Sequence, residues 1–258
     1  MLGPTADYLG RGVLALAESR VNNIRAIFRK AERKTDPTAL LPSGAVAPRV
    51  LAGVMSDGSF VTDELFQDYF GGVLLSSHSD SGGDDRGSTY IQLLSRLSSY
   101  QIRTHYLLYC AVRAACIALS DVDLSDVAGR ERVGDFFVRF PQFFFSLELT
   151  DDQMGNLQAI LTHALVGLHR EGLIGTHWHF STDRDNVSAS IAGRGHAYPR
   201  GGLVFGVSPF GIELFCAAHG FSGDAARTFT DPKASFDTGM STKVETMIAE
   251  RIVTFPML

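Results

Sequence analysis

Ionisable groups crowd one short loop. His78 precedes it, and Asp80, Asp84, Asp85 and Arg86 lie within residues 79–87, a run of serine, glycine and aspartate. Acids, a base and a flexible backbone together make a set that a hydrolase or nuclease could use, with His78, Asp84, Asp85 and Arg86 as the catalytic candidates. The same residues also fit a capped loop, in which Asp84 or Asp85 pairs with Arg86 or Arg103 and tethers two helices. The tether is the preferred reading.

Three other groups of residues invite chemistry. His177 and His179 flank Trp178, and on a strand they would point to one face, a known way to build a metal site. The nearby His163 and His169 are six apart on a helical pattern, about 240° around its axis at ~100° per residue, so they share no face. No cysteine or carboxylate stands at a ligand spacing beside them, and the reading is no metal and no cofactor. Arg184, Arg194 and Arg200 make the stretch 182–200 basic, and they would be the contacts if it reached a nucleic-acid backbone. Finally, "FFVRFPQFFF" places Phe136, Phe137, Phe140, Phe143, Phe144 and Phe145 around Pro141. These six form either a core plug laid over helices, the favoured reading, or an apolar patch for a partner subunit or a membrane surface, with a homodimer interface next in preference. The chain carries no P-loop, Rossmann glycine fingerprint, HExxH or GxSxG.

The elements that position these residues are mostly helical. Residues 5–34 read as one amphipathic helix with Leu9, Val13, Leu16, Ile24, Ile27 and Phe28 on its apolar stripe and a basic second half. Pro48 opens a short helix to about Met55. Thr62 is a candidate N-cap for a helix carrying Leu65, Phe66, Tyr69, Phe70, Val73 and Leu74 on one face. Gly71-Gly72 weakens that helix by about 1 kcal/mol per glycine, which implies close approach of a neighbour. Ser88 or Thr89 can cap the next helix, Ser98-Ser99 marks a break, and a further helix follows over about 100–119.

Thr150 and Gln153 form a capping-box pattern ahead of another helix, with Gly172 suited to its end. Extended stretches at 177–181 and 202–207 then precede a helix opened by Ser208-Pro209. Helix, hairpin, helix is the outline of a winged-helix-like module with a long wing. Val244 to Ile252 is the best helical pattern of the tail.

The runs "DELFQDYFGGVLLSS" and "DDRGSTYIQLLSRLSSYQIRTHYLLYCAV" resemble the abortive-infection alpha (Abi-alpha) family, a bacterial domain of unknown function linked by name to phage defence. The opening "MLGPTADYLGRGVLALAESRVNNIRAIFRKAERK" and the pair "LVGLHREGLIG" and "VSPFGIELFCAA" fit as well. The similarity covers about two thirds of the chain, and its motifs are apolar and turn residues that specify fold more than chemistry. The resemblance brings no catalytic residues with it.

Composition sets the outer bounds. The 258 residues are 45% hydrophobic and 20% charged, with a formal net charge of −5, which suits a globular chain better than a basic nucleic-acid binder. Cys110, Cys116 and Cys216 sit in apolar helical contexts, outside any disulfide or CxxC spacing, and read as reduced thiols. No signal peptide or membrane span is apparent, so the location expected is cytoplasmic.

The expected fold is mainly α: a helical domain over 1–149, then a winged-helix-like helix–β-hairpin–helix module with a tail over 150–258. The expected role is a non-enzymatic interaction or sensor protein in anti-phage defence, acting as a homodimer or with another protein. The alternatives are a winged-helix nucleic-acid binder and a hydrolytic effector using the 78–86 loop.

Overall fold

A computed structural model describes residues 4–35, 44–118, 134–140, 149–181, 201–236 and 249–252, with isolated positions at Leu124, Asp126, Gly129, Phe143 and Leu147. The fold is mainly helical with small antiparallel sheets. It divides into two compact units, Met1–Leu97 with Ala217–Ser222, and Ser98–Cys216 with Gly223–Leu258.

The first unit is built on α1 (Pro4–Lys34) and α3 (Glu64–Ser76), with α2 (Pro48–Ser56) and α4 (Gly87–Leu94) beside them. The second half of α1 enters the core: Ile27 and Ala31 are buried, whereas residues 11–19 are all exposed. Gly71 and Gly72 explain how the partners of α3 come so close. A Cβ on Gly71 would stand 2.9 Å from the Ile27 carbonyl oxygen, and one on Gly72 would overlap the Ala218 carbonyl. Side chains are excluded there because backbone occupies the space.

Polar groups tie α1 to the segment before α3. Asn23 Nδ2 donates to the Ser59 carbonyl at 2.8 Å, and Arg20 Nε donates to Ser59 Oγ at 2.9 Å while its guanidinium lies 4.4 Å from the Phe60 ring centre. Lys34 Nζ and Asp68 Oδ2 form a buried ion pair at 2.7 Å.

Two helix starts differ from expectation. Asp63, not Thr62, caps α3, accepting from the Phe66 N–H at 2.9 Å, because a carboxylate is the better partner for the dipole's positive end. Ser88 and Thr89 lie inside α4, whose first turn follows Arg86 with no side-chain cap. Gly87 allows this close turn, since a Cβ there would strike Ser77 Oγ. Strands β1 (Ala45–Val46) and β2 (His78–Ser79) pair antiparallel between these helices.

The second unit joins α5 (Ser99–Ala118) to a four-stranded antiparallel sheet. Its strands are β3 (Asp135–Arg139), β4 (Trp178–Ser181), β5 (Gly202–Gly206) and β6 (Ala249–Ile252), in the order β4-β5-β3-β6. The Phe-rich run supplies β3, with Phe136 opposite Phe205 and Phe137 opposite Val204. Between β3 and β4 come α6 (Asp151–Gly155) and α7 (Leu157–Arg170). Thr150 and Gln153 complete the capping box, and Gly172, at φ +69°, turns the chain out of α7. After β5, α8 (Pro209–Ala218) and α9 (Ala225–Thr230) follow. Residues 249–252 are a strand, which corrects the helix expected over 244–252, while 244–248 lie outside the described residues. Local spacing suited a helix, but the free edge of β3 offers backbone hydrogen bonds that residues 249–252 take up.

Candidate functional site

Asp84 and Asp85 each pair with an arginine rather than gathering at one point. Asp84 Oδ1 accepts from the Arg86 backbone N–H at 3.1 Å, and its carboxylate accepts Arg86 Nε and Nη2 at 3.0 and 2.6 Å. These bonds from Arg86 hold the Asp84 carboxyl below the usual carboxylate range. Asp85 stands 3.5 Å from Arg49 at the start of α2, which links the loop to a helix. Arg103 turns elsewhere and donates to the Leu147 carbonyl at 2.9 Å. His78 lies in β2, opposite Val46.

The other sequence candidates are dispersed. His177 and His179 are exposed, and no group of three or more His, Cys, Asp or Glu fit to hold a metal ion occurs among the described residues. Trp178 lies with its ring 6.3 Å from His169. Phe136, Phe137, Phe140 and Phe143 are buried, with Phe136 and Phe205 rings 6.3 Å apart and Phe140 and Phe180 rings 6.2 Å apart. Phe144, Phe145, Arg184, Arg194 and Arg200 lie outside the described residues. The three cysteines are free, and burial pushes the Cys110 and Cys216 thiols up to about 12, the protonated and inert form.

Two polar arrangements carry no motif and escaped the sequence reading. The first is a buried network where α5 meets the chain leaving α7 and the start of α8. Tyr109 donates its hydroxyl to the Leu173 carbonyl at 2.8 Å and accepts the Ser208 N–H at 3.1 Å. Ser208 Oγ donates to the Gly172 carbonyl at 2.6 Å and accepts the Gly211 N–H at 2.9 Å, which makes it the N-cap of α8.

His105, one turn before Tyr109, places Nε2 3.1 Å from the Gly211 carbonyl; a carbonyl only accepts, so Nε2 carries the proton. Desolvation pushes His105 down to about 3 and Tyr109 up to about 12, so both are neutral near pH 7. Gly211 is required here, because a Cβ would overlap the Tyr109 hydroxyl and the Leu173 carbonyl. Every bond just named ends on backbone or on a cap, which suits a clamp rather than a reaction centre.

The second arrangement is a Ser–His contact. Ser98 and Gln101 form a capping box at the start of α5: Gln101 Oε1 accepts the Ser98 N–H at 2.8 Å, and Ser98 Oγ accepts the Gln101 N–H at 3.4 Å. His163 Nε2 of α7 lies 3.0 Å from Ser98 Oγ, and Gln101 Nε2 donates to the His163 carbonyl at 3.3 Å. A serine bonded to an imidazole is the nucleophile–base contact of a catalytic triad. Here the hydroxyl serves as a helix cap, and the bonds join α5 to α7. The S-x-x-Q spacing was the signal that could have found it.

Comparison with protein-family models, curated proteins and solved structures found no match to this chain. No helix among the described residues is long and apolar enough to cross a membrane.

Proposed function

We propose that this chain is a non-enzymatic interaction or sensor protein that acts in the bacterial cytoplasm in anti-phage defence and engages a protein partner through the first half of α1. One observation carries the reading. Val13, Leu14 and Leu16 are exposed at 68, 59 and 52% of their surface in the first half of α1, and Val21, just past its midpoint, at 54%, whereas Ile27 and Ala31 further along are buried. Exposed apolar side chains of this size, close together along one helix, mark contact surfaces. The neutral, backbone-directed bonds of His105, Tyr109 and Ser208 support a structural use of the ionisable groups. The tie to defence comes from the sequence resemblance.

The test is a phage challenge of bacteria expressing the chain or its Leu14→Asp/Leu16→Asp variant. Protection by the wild type and its loss in a variant with unchanged circular dichroism is the expected result. Equal protection by both overturns the role of α1, and no protection by the wild type overturns the defence role.

The order α7, β4, β5, α8, with β4 and β5 antiparallel, supports a second reading as a winged-helix-like nucleic-acid binder with the 182–200 stretch as wing. Binding should then weaken steeply with salt, and no mobility shift of duplex or single strands at low salt removes it.

A further inference from the structure

We infer that Lys30, Arg33 and Lys34, in the last turns of α1, hold a phosphate group beside α3. This site goes beyond the contact proposed for the first half of α1 and does not depend on it. The reason is a surplus of buried positive charge. Lys34 Nζ and Asp68 Oδ2 pair at 2.7 Å, with side chains only 7 and 3% exposed. Lys30, one turn before Lys34, is itself only 7% exposed. Two cations and one acid are therefore buried together, which leaves one positive charge over. Among the described residues Lys30 has no hydrogen bond or ion pair, and no acid besides Asp68 is buried. Glu32, the acid nearest to Lys30 along α1, points about 160° away around the axis at ~100° per residue. A buried charge without a counter-charge is strongly unfavourable, and a bound anion removes that cost.

The chemistry of the group selects phosphate. Lys30 lies against α3 because residue 71 is glycine, where a Cβ would come within 3.1 Å of Lys30 Cβ. Asp68 stands one turn before Gly71 on the same helix. The charges of Lys30 and Arg33 act through space on both Lys34 and Asp68, so the four groups are neighbours. Arg33 is exposed, three residues on from Lys30, and its guanidinium fork matches phosphate oxygens in pairs. The Lys30 ammonium brings three donors, and that of Lys34 keeps two after Asp68 takes one. Three cations and one acid sum to +2. A phosphate monoester carries about −1.5 to −2 at pH 7, whereas a carboxylate would balance only half of the surplus.

Isothermal titration calorimetry of the full chain in a chloride buffer tests this with three probes: inorganic phosphate, ATP, and vesicles containing phosphatidic acid. The wild type should bind at least one of them. Lys30→Met should weaken that binding about tenfold or more, and Arg33→Gln by a smaller factor. Arg25→Gln, about 140° around the helix from Lys30, should leave it unchanged. Thermal unfolding separates a lost site from a damaged fold. Without phosphate Lys30→Met should melt no lower than the wild type, because it removes the surplus charge, and the bound probe should raise the Tm of the wild type alone. Heat from inorganic phosphate or ATP marks a free ligand, and heat from the vesicles alone marks a lipid headgroup. Binding of none of the three, or binding that Lys30→Met leaves intact, overturns the inference. So does an equal rise in Tm with sodium chloride at matched ionic strength, or a Lys30→Met chain that melts well below the wild type without phosphate.

Discussion

Acid should destabilise the second unit through His105, and the size of the effect follows from its burial. In the unfolded chain a histidine protonates near pH 6.5. In the fold, desolvation holds His105 down to about 3, opposed only in part by its bond to the Gly211 carbonyl. The unfolded state therefore binds a proton that the folded state refuses, and stability falls as pH drops through the window from 6.5 to 3. At ~1.4 kcal/mol per pH unit, the loss between pH 7 and pH 4.5 is about 2.5 kcal/mol. That is a large share of the roughly 5–15 kcal/mol a domain has in hand.

Urea unfolding followed by Trp178 fluorescence and circular dichroism at pH 7.0, 5.5 and 4.5 measures it. His105→Gln keeps an amide donor for Gly211 but cannot titrate, so it should start less stable at pH 7 and lose less on acidification. Subtracting the two curves removes every other titrating group. Parallel curves would refute the reasoning, because they would mean that His105 is protonated in the fold or titrates alike in both states.

The remaining predictions concern packing. Gly72→Ala should lower stability by about 1–3 kcal/mol or more in chemical unfolding, since its Cβ overlaps the Ala218 carbonyl, whereas Gly12→Ala, with nothing within 4 Å, should raise helix content. Lys34→Met alone should cost about 3–5 kcal/mol by leaving Asp68 buried without its partner, and Lys34→Met/Asp68→Leu should recover most of it. Arg113 Nη2 donates to the Asp231 and Ala234 carbonyls at 2.8 and 2.7 Å, and its guanidinium lies 4.3 Å from the Phe236 ring centre. Arg113→Lys should therefore speed amide exchange in residues 231–236 while leaving α5 protected.

Elements with a local cause could be read from the chain, and those with a distant cause could not. Thr150 and Gln153, Ser208 and Pro209, and Gly172 each act within a few residues, and all stand where their types predict. Gly71-Gly72 announced a close neighbour but not which one, and that neighbour includes Ala218, far along the chain. The strand at 249–252 was misread for the same reason: its apolar spacing fits a helix, and only the edge of β3 decides otherwise.

The site followed this pattern. Asp84 and Arg86 are close enough in sequence for their pairing to be expected. His105 and Tyr109 sit one turn apart on an apolar helix, where nothing marks them as more than core. Their partners are the carbonyls of Leu173 and Gly211 and the N–H of Ser208, backbone groups that any residue type could supply. A side chain whose partner is backbone leaves no second residue to recognise. What the chain does record is the glycine at 211, where a methyl group would occupy the place of the Tyr109 hydroxyl. A glycine inside a helix facing a buried tyrosine is thus the trace such a clamp leaves in sequence.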